Sequence, residues 1–315
     1  MSNEHIEIAI VGGGPAGLAA ALYASRGRAK TVVFERGIPG GQIVTTDWVE
    51  NYPGFPKGIS GMELGDLMTK QAEEFGAVIR SFSPVESVAV RDDGHFTLTS
   101  EGEEFDADCV ILATGAVPRK LGVPGEAEFT GRGVSWCATC DGALYRDKVV
   151  AVIGGGDAAV EEAMFLTKFA SRVHLIHRRD ELRATKCIQE RCFANPKMEM
   201  HYSRVVAEII GAEGKVSGLR LESTNGEPDE VLPLDGVFIF VGVHPVNELA
   251  LELVKLADNG YITIDHDGRT SVPGLFAAGD VTDSDLKQVI TAAAKGASAA
   301  FEAVRYIDET ASCSL

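Results

Sequence analysis

The 315-residue chain is 45% apolar and 24% charged, which is material for two ordinary domains with buried cores and excludes disorder through low hydrophobicity. Its 29 Lys and Arg face 46 Asp and Glu, a net charge of −17, so no nucleic acid and no anionic membrane surface is expected as a partner. Six cysteines in a chain of this length, two of them in Cys137-Ala-Thr-Cys140, are unlike the dense staples of a small secreted domain and read as mostly thiols of a cytoplasmic protein.

The first elements come from residues 6–36: an apolar run, three glycines, about a dozen residues with apolar groups at helical spacing, then a β-branched and aromatic run. That pattern reads strand, turn, helix, strand. Its uncharged part, Ile8 to Ser25, nears membrane-spanning length, but Gly12, Gly13, Gly14, Pro15 and Gly17 interrupt it, so it is read as neither a span nor a signal peptide. Residues 148–178 align onto 6–36 without a gap. A second echo follows: Val110–Pro118 and Val237–Pro245 each read as a strand closed by Gly-x-x-Pro, and a further glycine-rich strand end, Gly274–Asp280, comes after the second copy. The expected fold class is therefore α/β, with two Rossmann-like dinucleotide-binding domains, the second inserted in the first. Residues 1–118 and 249–315 would form the first domain and 119–248 the insert. The crossings near Pro118–Gly133 and Val243–Asn247 are candidate hinges.

A Gly-x-Gly-x-x-Gly turn between strand and helix lets the backbone approach a pyrophosphate and points helix N-terminal amides at it. Gly12, Gly14 and Gly17 fill the first copy; Gly154, Gly156 and Ala159 fill the alanine version in the second. About 20 residues on, an acid accepts hydrogen bonds from a free ribose 2′-hydroxyl, whereas arginines accommodate a 2′-phosphate. Glu35 holds that place in the first copy, which suits FAD or NAD without choosing between them. In the second copy stand His177, Arg178 and Arg179, then Arg183, which favour NADPH over NADH. The competing reading is a solvated helix face; against it, residues 172–191 hold six Lys or Arg and three Asp or Glu in a chain biased the other way.

Cys-x-x-Cys places two sulfurs within disulfide reach, and low-pKa thiolates in such motifs exchange readily. Zinc would need a second close pair, which Cys187 and Cys192, five apart, do not supply; no metal is expected. Trp136 before the pair resembles a thioredoxin motif, but the pair lies between two nucleotide-binding patterns. Asp141 is either a proton donor for the thiols or an ordinary turn or N-cap aspartate, and both readings stand. Two dinucleotide sites beside a cysteine pair fit one fixed flavin and one exchangeable nicotinamide, because a flavin passes between hydride and thiol chemistry.

Taken together, Gly12-Gly-Gly-Pro-Ala-Gly17, Gly40-Gly-Gln42, Glu50-Asn-Tyr-Pro-Gly54, Ala113-Thr-Gly115, Cys137-Ala-Thr-Cys-Asp141, Gly154-Gly-Gly156, His177-Arg-Arg179 with Arg183, Gly279-Asp280 and Lys287-Gln288 closely resemble the bacterial-type, low-molecular-weight thioredoxin reductases. The resemblance runs along nearly the whole chain. It implies FAD at the first site, held by Gly12, Gly14, Pro15, Ala16, Gly17, Glu35 on the ribose, Arg36, Gly41, Gln42, Asn51, Ala113, Gly115, Gly279, Asp280, Lys287, and Gln288 with Val289 at the flavin. It implies NADPH at Gly154, Gly156, Asp157, Ala158, His177, Arg178, Arg179 and Arg183. By the same resemblance Cys140 faces the flavin, Cys137 attacks the disulfide of thioredoxin or a similar small dithiol protein, Asp141 is the acid, the insert rotates between half-reactions, and the chain forms a homodimer. Lys287 stands where the family commonly has arginine, and Asp157-Ala158 replaces Asn with Ser or Thr. A flavin-dependent dithiol oxidase is the alternative, and it would not need the His-Arg-Arg cluster.

Overall fold

Strand β1 (Glu4–Val11) enters helix α1 (Pro15–Arg26) through the first glycine turn, and β2 (Thr31–Phe34) returns parallel to β1. The computed structural model describes residues 4–46, 49, 51–283 and 286–313; Glu50 of the Glu-Asn-Tyr-Pro-Gly motif lies outside them. Helix α2 (Gly61–Glu74) starts where the Ser60 hydroxyl accepts the Glu63 N–H, and β3 (Val78–Arg80) then extends the parallel set beside β2. Next comes an antiparallel meander of β4 (Val85–Val90), β5 (Phe96–Ser100) and β6 (Glu103–Leu112). Strand β6 also lies parallel to β1, and β7 (Ala116–Pro118) leads out of this unit.

The second unit contains β8 (Val134–Ser135), α3 (Ala138–Asp141), β9 (Val149–Ile153), α4 (Asp157–Leu166), β10 (Arg172–Ile176), α5 (Lys186–Phe193) and β11 (Met198–His201). An antiparallel sheet of β12 (Arg204–Ala212), β13 (Lys215–Ser223) and β14 (Glu230–Pro233) follows, then β15 (Gly236–Ile239). Strand β16 (Val243–Pro245) pairs with β7 and carries the chain back, where β17 (Leu275–Ala277) joins β6 and α6 (Val289–Cys313) closes the fold.

Both units wind alike. The first runs β3-β2-β1-β6 with β17 beside β6, and the second runs β11-β10-β9-β15-β8; in each, the strand that feeds the glycine turn lies at the centre. Parallel strands covered on both faces read as continuous apolar runs, which is why β2 and β9 carry almost no polar side chain. In the first unit Ile8 and Ile10 pack with α1 and α6, while Ala9 and Val11 belong to a cluster with Phe96, Leu98, Val254 and Ile262. In the second, Val150 and Val152 meet α4 and α5, and Ala151 and Ile153 meet Ile209, Leu219 and Leu221 of the antiparallel sheet.

The chain divides into two compact units, Pro118–Val243 and the remainder on either side of it. The return crossing lies at Val243 and His244, at the start of the Val243–Asn247 stretch the sequence offers as a hinge and before the expected domain bound at 248. The reason is that β16 is spent on pairing with β7, and the next turn, Glu248–Ala250, delivers Ala250 into the core of the first unit. No helix among the described residues is long and apolar enough to cross a membrane.

Helices α1 and α6 meet in a close seam, where a Cβ on Gly296 would lie 2.0 Å from the Ala16 carbonyl oxygen. Backbone cannot yield there as a flexible side chain would. Gly296→Ala should therefore lower stability by about 1–3 kcal/mol, the usual cost of overpacking, read as a drop in the urea midpoint; an unchanged midpoint would show that α6 can move off α1.

Candidate functional site

In the first unit the residues expected to hold FAD converge on the entrance to α1. That helix has Gly14 as its N-cap, no side-chain cap and no acid in its first turn, so its leading amides are available to an anion. A Cβ on Gly17 would sit 1.8 Å from the Gly12 carbonyl oxygen; the turn closes only because nothing projects there. Segment Gly40–Gly41 crosses the same turn, with the Gly40 N–H donating to Gly13 O at 2.7 Å. From below, the buried Glu35 accepts the Gly13 N–H at 2.6 Å and the Gly37 N–H at 2.9 Å. A carboxylate has about four lone-pair sites, so Glu35 keeps capacity for ribose hydroxyls. Arg36 beside it is exposed.

The remaining FAD candidates lie in the same unit. Gly279 packs against Ala16, and Ala113 lies behind Gly12. The Gln42 amide donates to the Ala116 carbonyl, Asn51 Nδ2 donates to Gln288 Oε1 at 2.9 Å, and Val289 packs on the cluster of Ile43, Val49, Ile59 and Leu64. Gly115 sits at φ 76°, turning β6 toward β7. Burial pushes the Asp280 carboxyl up, against the pull of Lys287 and Lys295, and burial likewise lowers Lys287. Lys287 Nζ reaches the Asp280 carbonyl at 3.2 Å and lies 4.1 Å over the Tyr261 ring. Lys295 and Tyr261 escape a reading by motif; a lone lysine on the Ala-rich face of α6 is the available signal.

The second unit repeats the entrance at α4, whose N-cap is Gly156, again without a side-chain cap. Here the Asp157 carboxylate is engaged locally, its Oδ1 accepting the Thr185 N–H at 2.7 Å. The Gly155 carbonyl accepts the Arg183 N–H at 2.7 Å and the Ala184 N–H at 3.1 Å, so the segment bearing Arg183 is laced to the turn. Ala158 is exposed at the mouth, and Gly154 donates its N–H to Ile176 O at 3.0 Å. His177 lies against Gly155, where a Cβ would be 2.3 Å from its Nδ1; Gly155, between the two motif glycines, is thus as constrained as they are, and the spacing rule passes over it. Burial, with Arg183, Arg179 and Arg178 adding to it, holds His177 below the usual histidine range. Its Nε2 is buried without a hydrogen-bond partner among the described residues. Arg178, Arg179 and Arg183 are exposed, form no ion pair among the described residues, and lie in the loop between β10 and α5. They are not a helix face.

Cys137 and Cys140 form a disulfide across α3, with Cα atoms 5.3 Å apart. Cys137 is the extended N-cap of that turn, and the Cys140 N–H points to its Sγ at 3.2 Å. Thr139 Oγ1 approaches the same sulfur at 3.4 Å. Both cysteines are partly exposed. Asp141 ends α3 and stands at the N-cap position of the following turn, Gly142–Tyr145, without a side-chain capping bond. The other thiols are unlike the pair: burial pushes Cys109 up to about 12 and raises Cys192, while Cys187 is exposed.

Two uncapped helix entrances, one over an acid and one under three free guanidinium groups, with a disulfide on a short helical turn, define a nucleotide-dependent disulfide oxidoreductase. The chain belongs to the pyridine nucleotide-disulphide oxidoreductase family, whose model matches residues 6–296, and within it to the bacterial-type thioredoxin reductases. It is 45% identical over 310 residues to thioredoxin reductase of Listeria monocytogenes, covering 98% of this chain and 96% of the relative. Solved thioredoxin reductases of Streptococcus pyogenes (43% identity, TM-score 0.91, covering 98% of this chain and all of that one) and Giardia duodenalis (38%, 0.89, covering 97% and all of that one) are similar along the whole fold. FAD and NADPH are the cofactors of this family, and the two entrances fit them.

The contrast among thiols is testable. At pH 8 a thiol with a pKa near 12 is about 0.01% thiolate, so in the native, reduced protein iodoacetamide should label Cys187 rapidly and leave Cys109 and Cys192 unlabelled by peptide mapping. Labelling of Cys109 at the rate of Cys187 would mean that the core over it opens readily.

Proposed function

We propose that the Cys137–Cys140 pair is the redox centre through which reducing equivalents from NADPH reach thioredoxin or a similar small dithiol protein. The single observation that carries this reading is a partly exposed disulfide in the same unit as a glycine turn whose neighbouring loop carries three exposed arginines without an ion pair among the described residues. FAD, when bound, supplies the two-electron relay between the nicotinamide and the disulfide. Around it, the α1 amides bind pyrophosphate, Glu35 accepts from the adenosine ribose, and Asn51 with Gln288 borders the ring. Arg178, Arg179 and Arg183 clamp the 2′-phosphate with charge-assisted hydrogen bonds. His177, buried against Gly155, supports the turn from beneath.

Once the pair is a dithiol, the Cys137 thiolate attacks one sulfur of the acceptor disulfide, and the leaving acceptor thiolate takes a proton from Asp141. The Cys140 thiolate then attacks Cys137 Sγ, which restores the internal disulfide and releases the second acceptor sulfur. The Cys140 N–H, aimed at Cys137 Sγ, favours the charged form of that sulfur. The division of labour between the two cysteines and the role of Asp141 as the acid follow the resemblance. Because the nucleotide loop and the disulfide both belong to Pro118–Val243 while the flavin-binding segments do not, rotation about β7 and β16 is the proposed means of alternating the half-reactions.

The same reading assigns a homodimer in the cytoplasm. Tyr23 and Phe301 are 52% and 64% exposed and line a largely apolar hollow with Val304 between α1 and α6; a second copy is its proposed cover.

Removing the guanidinium groups in Arg178→Ala with Arg179→Ala should weaken NADPH binding at least tenfold, since charge-assisted bonds contribute about 1.5–3 kcal/mol each, and leave NADH nearly unchanged. Equal losses in a titration with both nucleotides would overturn the 2′-phosphate assignment. In Cys140→Ser, NADPH should still bleach the yellow protein while reduction of thioredoxin stops; surviving turnover would remove the pair from the pathway. NADPH-independent turnover with peroxide release would instead establish the dithiol oxidase.

A further inference from the structure

A second cluster of reactive side chains lies in the same unit, apart from the disulfide and unused by the redox reading. His174 on β10 and Glu199 with His201 on β11 share one face of the parallel sheet, in the register His174 beside Glu199 and Ile176 beside His201. His174 Nδ1 and His201 Nε2 face each other at 3.0 Å. The Glu199 carboxylate lies 3.8 Å from the first and 3.7 Å from the second. These three donors therefore bound a space with edges close to the roughly 3.3 Å that separates ligands around a tetrahedral ion at about 2.0–2.1 Å.

We propose that His174, Glu199 and His201 form a binding site for a divalent first-row cation of the zinc type, with water completing the coordination. Two features beyond the cluster itself support it. The far nitrogen of His201, Nδ1, lies 3.4 Å from Glu230 Oε2 on β14, the carboxylate–imidazole relation that fixes a ligand histidine's tautomer and leaves the other nitrogen's lone pair for the metal. The burial is also graded as an entry path requires: the His174 and His201 side chains are 5% and 10% exposed, whereas Glu199 is 45% exposed. In the metal-free chain one proton bridges the two rings; the cation takes its place, and that proton moves to His174 Nε2 or to solvent. The competing partner of Glu199 is Arg172, in an exposed ion pair at 3.0 Å, and such pairs contribute little.

Occupancy would tie β10 to β11 and, through Glu230, to the edge of the antiparallel sheet. The His177 N–H donates to the His201 carbonyl at 2.9 Å, so the pinned strands are those that carry the arginine loop. The ion would therefore stiffen the base of the nucleotide site.

The test is equilibrium dialysis of the full-length, FAD-loaded, oxidised protein against micromolar Zn²⁺, with bound zinc counted by mass spectrometry. One zinc per chain is expected. Glu199→Gln, isosteric and at a half-exposed position, should weaken binding at least tenfold, Glu230→Gln by about 10–100-fold, and His201→Ala should abolish it; Cys187→Ser and Asp267→Asn should leave it unchanged. FAD content and melting temperature verify each fold, and Glu199→Gln decides the matter if His201→Ala does not fold. Absence of bound zinc in the parent chain, or zinc lost in Cys187→Ser or Asp267→Asn but kept in Glu199→Gln, would overturn the proposal.

Discussion

A helix can offer its first amides to a pyrophosphate only if the chain entering it carries no side chain into the space where the ligand and the preceding strand must meet. At Gly17 a Cβ would fall 1.8 Å from the Gly12 oxygen, and at Gly155 another would fall 2.3 Å from the ring of His177. Every other feature of the two nucleotide sites is hung on these two contacts. Glu35 can hold the Gly13 N–H only because the first turn lies directly over it, and Arg183 can reach the second mouth only because its own amide is bound to Gly155 O. The lack of volume at the turn sets where the charges stand.

That constraint also explains what is legible in the chain. A glycine triplet between an apolar run and a helical period can be read from residue types alone, so both βαβ units, the insertion and the disposition of Glu35 against Arg178 and Arg179 follow from the sequence. The antiparallel covers do not. Strands β12, β13 and β14 alternate only loosely, with bulges in the pairing of β12 to β13, and their role as the second face of the insert depends on contacts with Ile153 and Ile176 far away in sequence. The exact edge of the insert is hidden for a related reason: pairing of β16 with β7 is a nonlocal hydrogen-bonding event, and no local period announces it. Gly296 is hidden too, because a glycine inside a helix states that something comes close without stating what.

Electrostatics show the same division between local and distant causes. A chain with net charge −17 would be expected to quench its cations, yet the three arginines at the second entrance form no ion pair among the described residues. Of the acids on this unit, Asp157 accepts the Thr185 N–H and Glu199 meets Arg172, while Asp180 and Glu181, next to the arginines in sequence, are exposed without an ion pair among the described residues. Which cations pair is set by the local geometry of the loop, which composition cannot reveal.

Asp157 is the sharpest instance. An acid at the first position of a helix is favourable to the helix itself, since it complements the positive end of the dipole, but beside a bound pyrophosphate it is a like charge. The structure reconciles the two demands by turning the carboxylate sideways to the Thr185 amide, which fixes the segment where Arg183 begins its approach. An Asn side-chain oxygen could accept the same amide, so the carboxylate adds charge and not a new anchor; its repulsion of a ligand's phosphates is eased because it is turned to the Thr185 N–H. Ala158, exposed beside it, provides no hydroxyl to share the anion. If the helix amides and the arginines carry phosphate recognition here, ionic strength should bear heavily on nucleotide affinity.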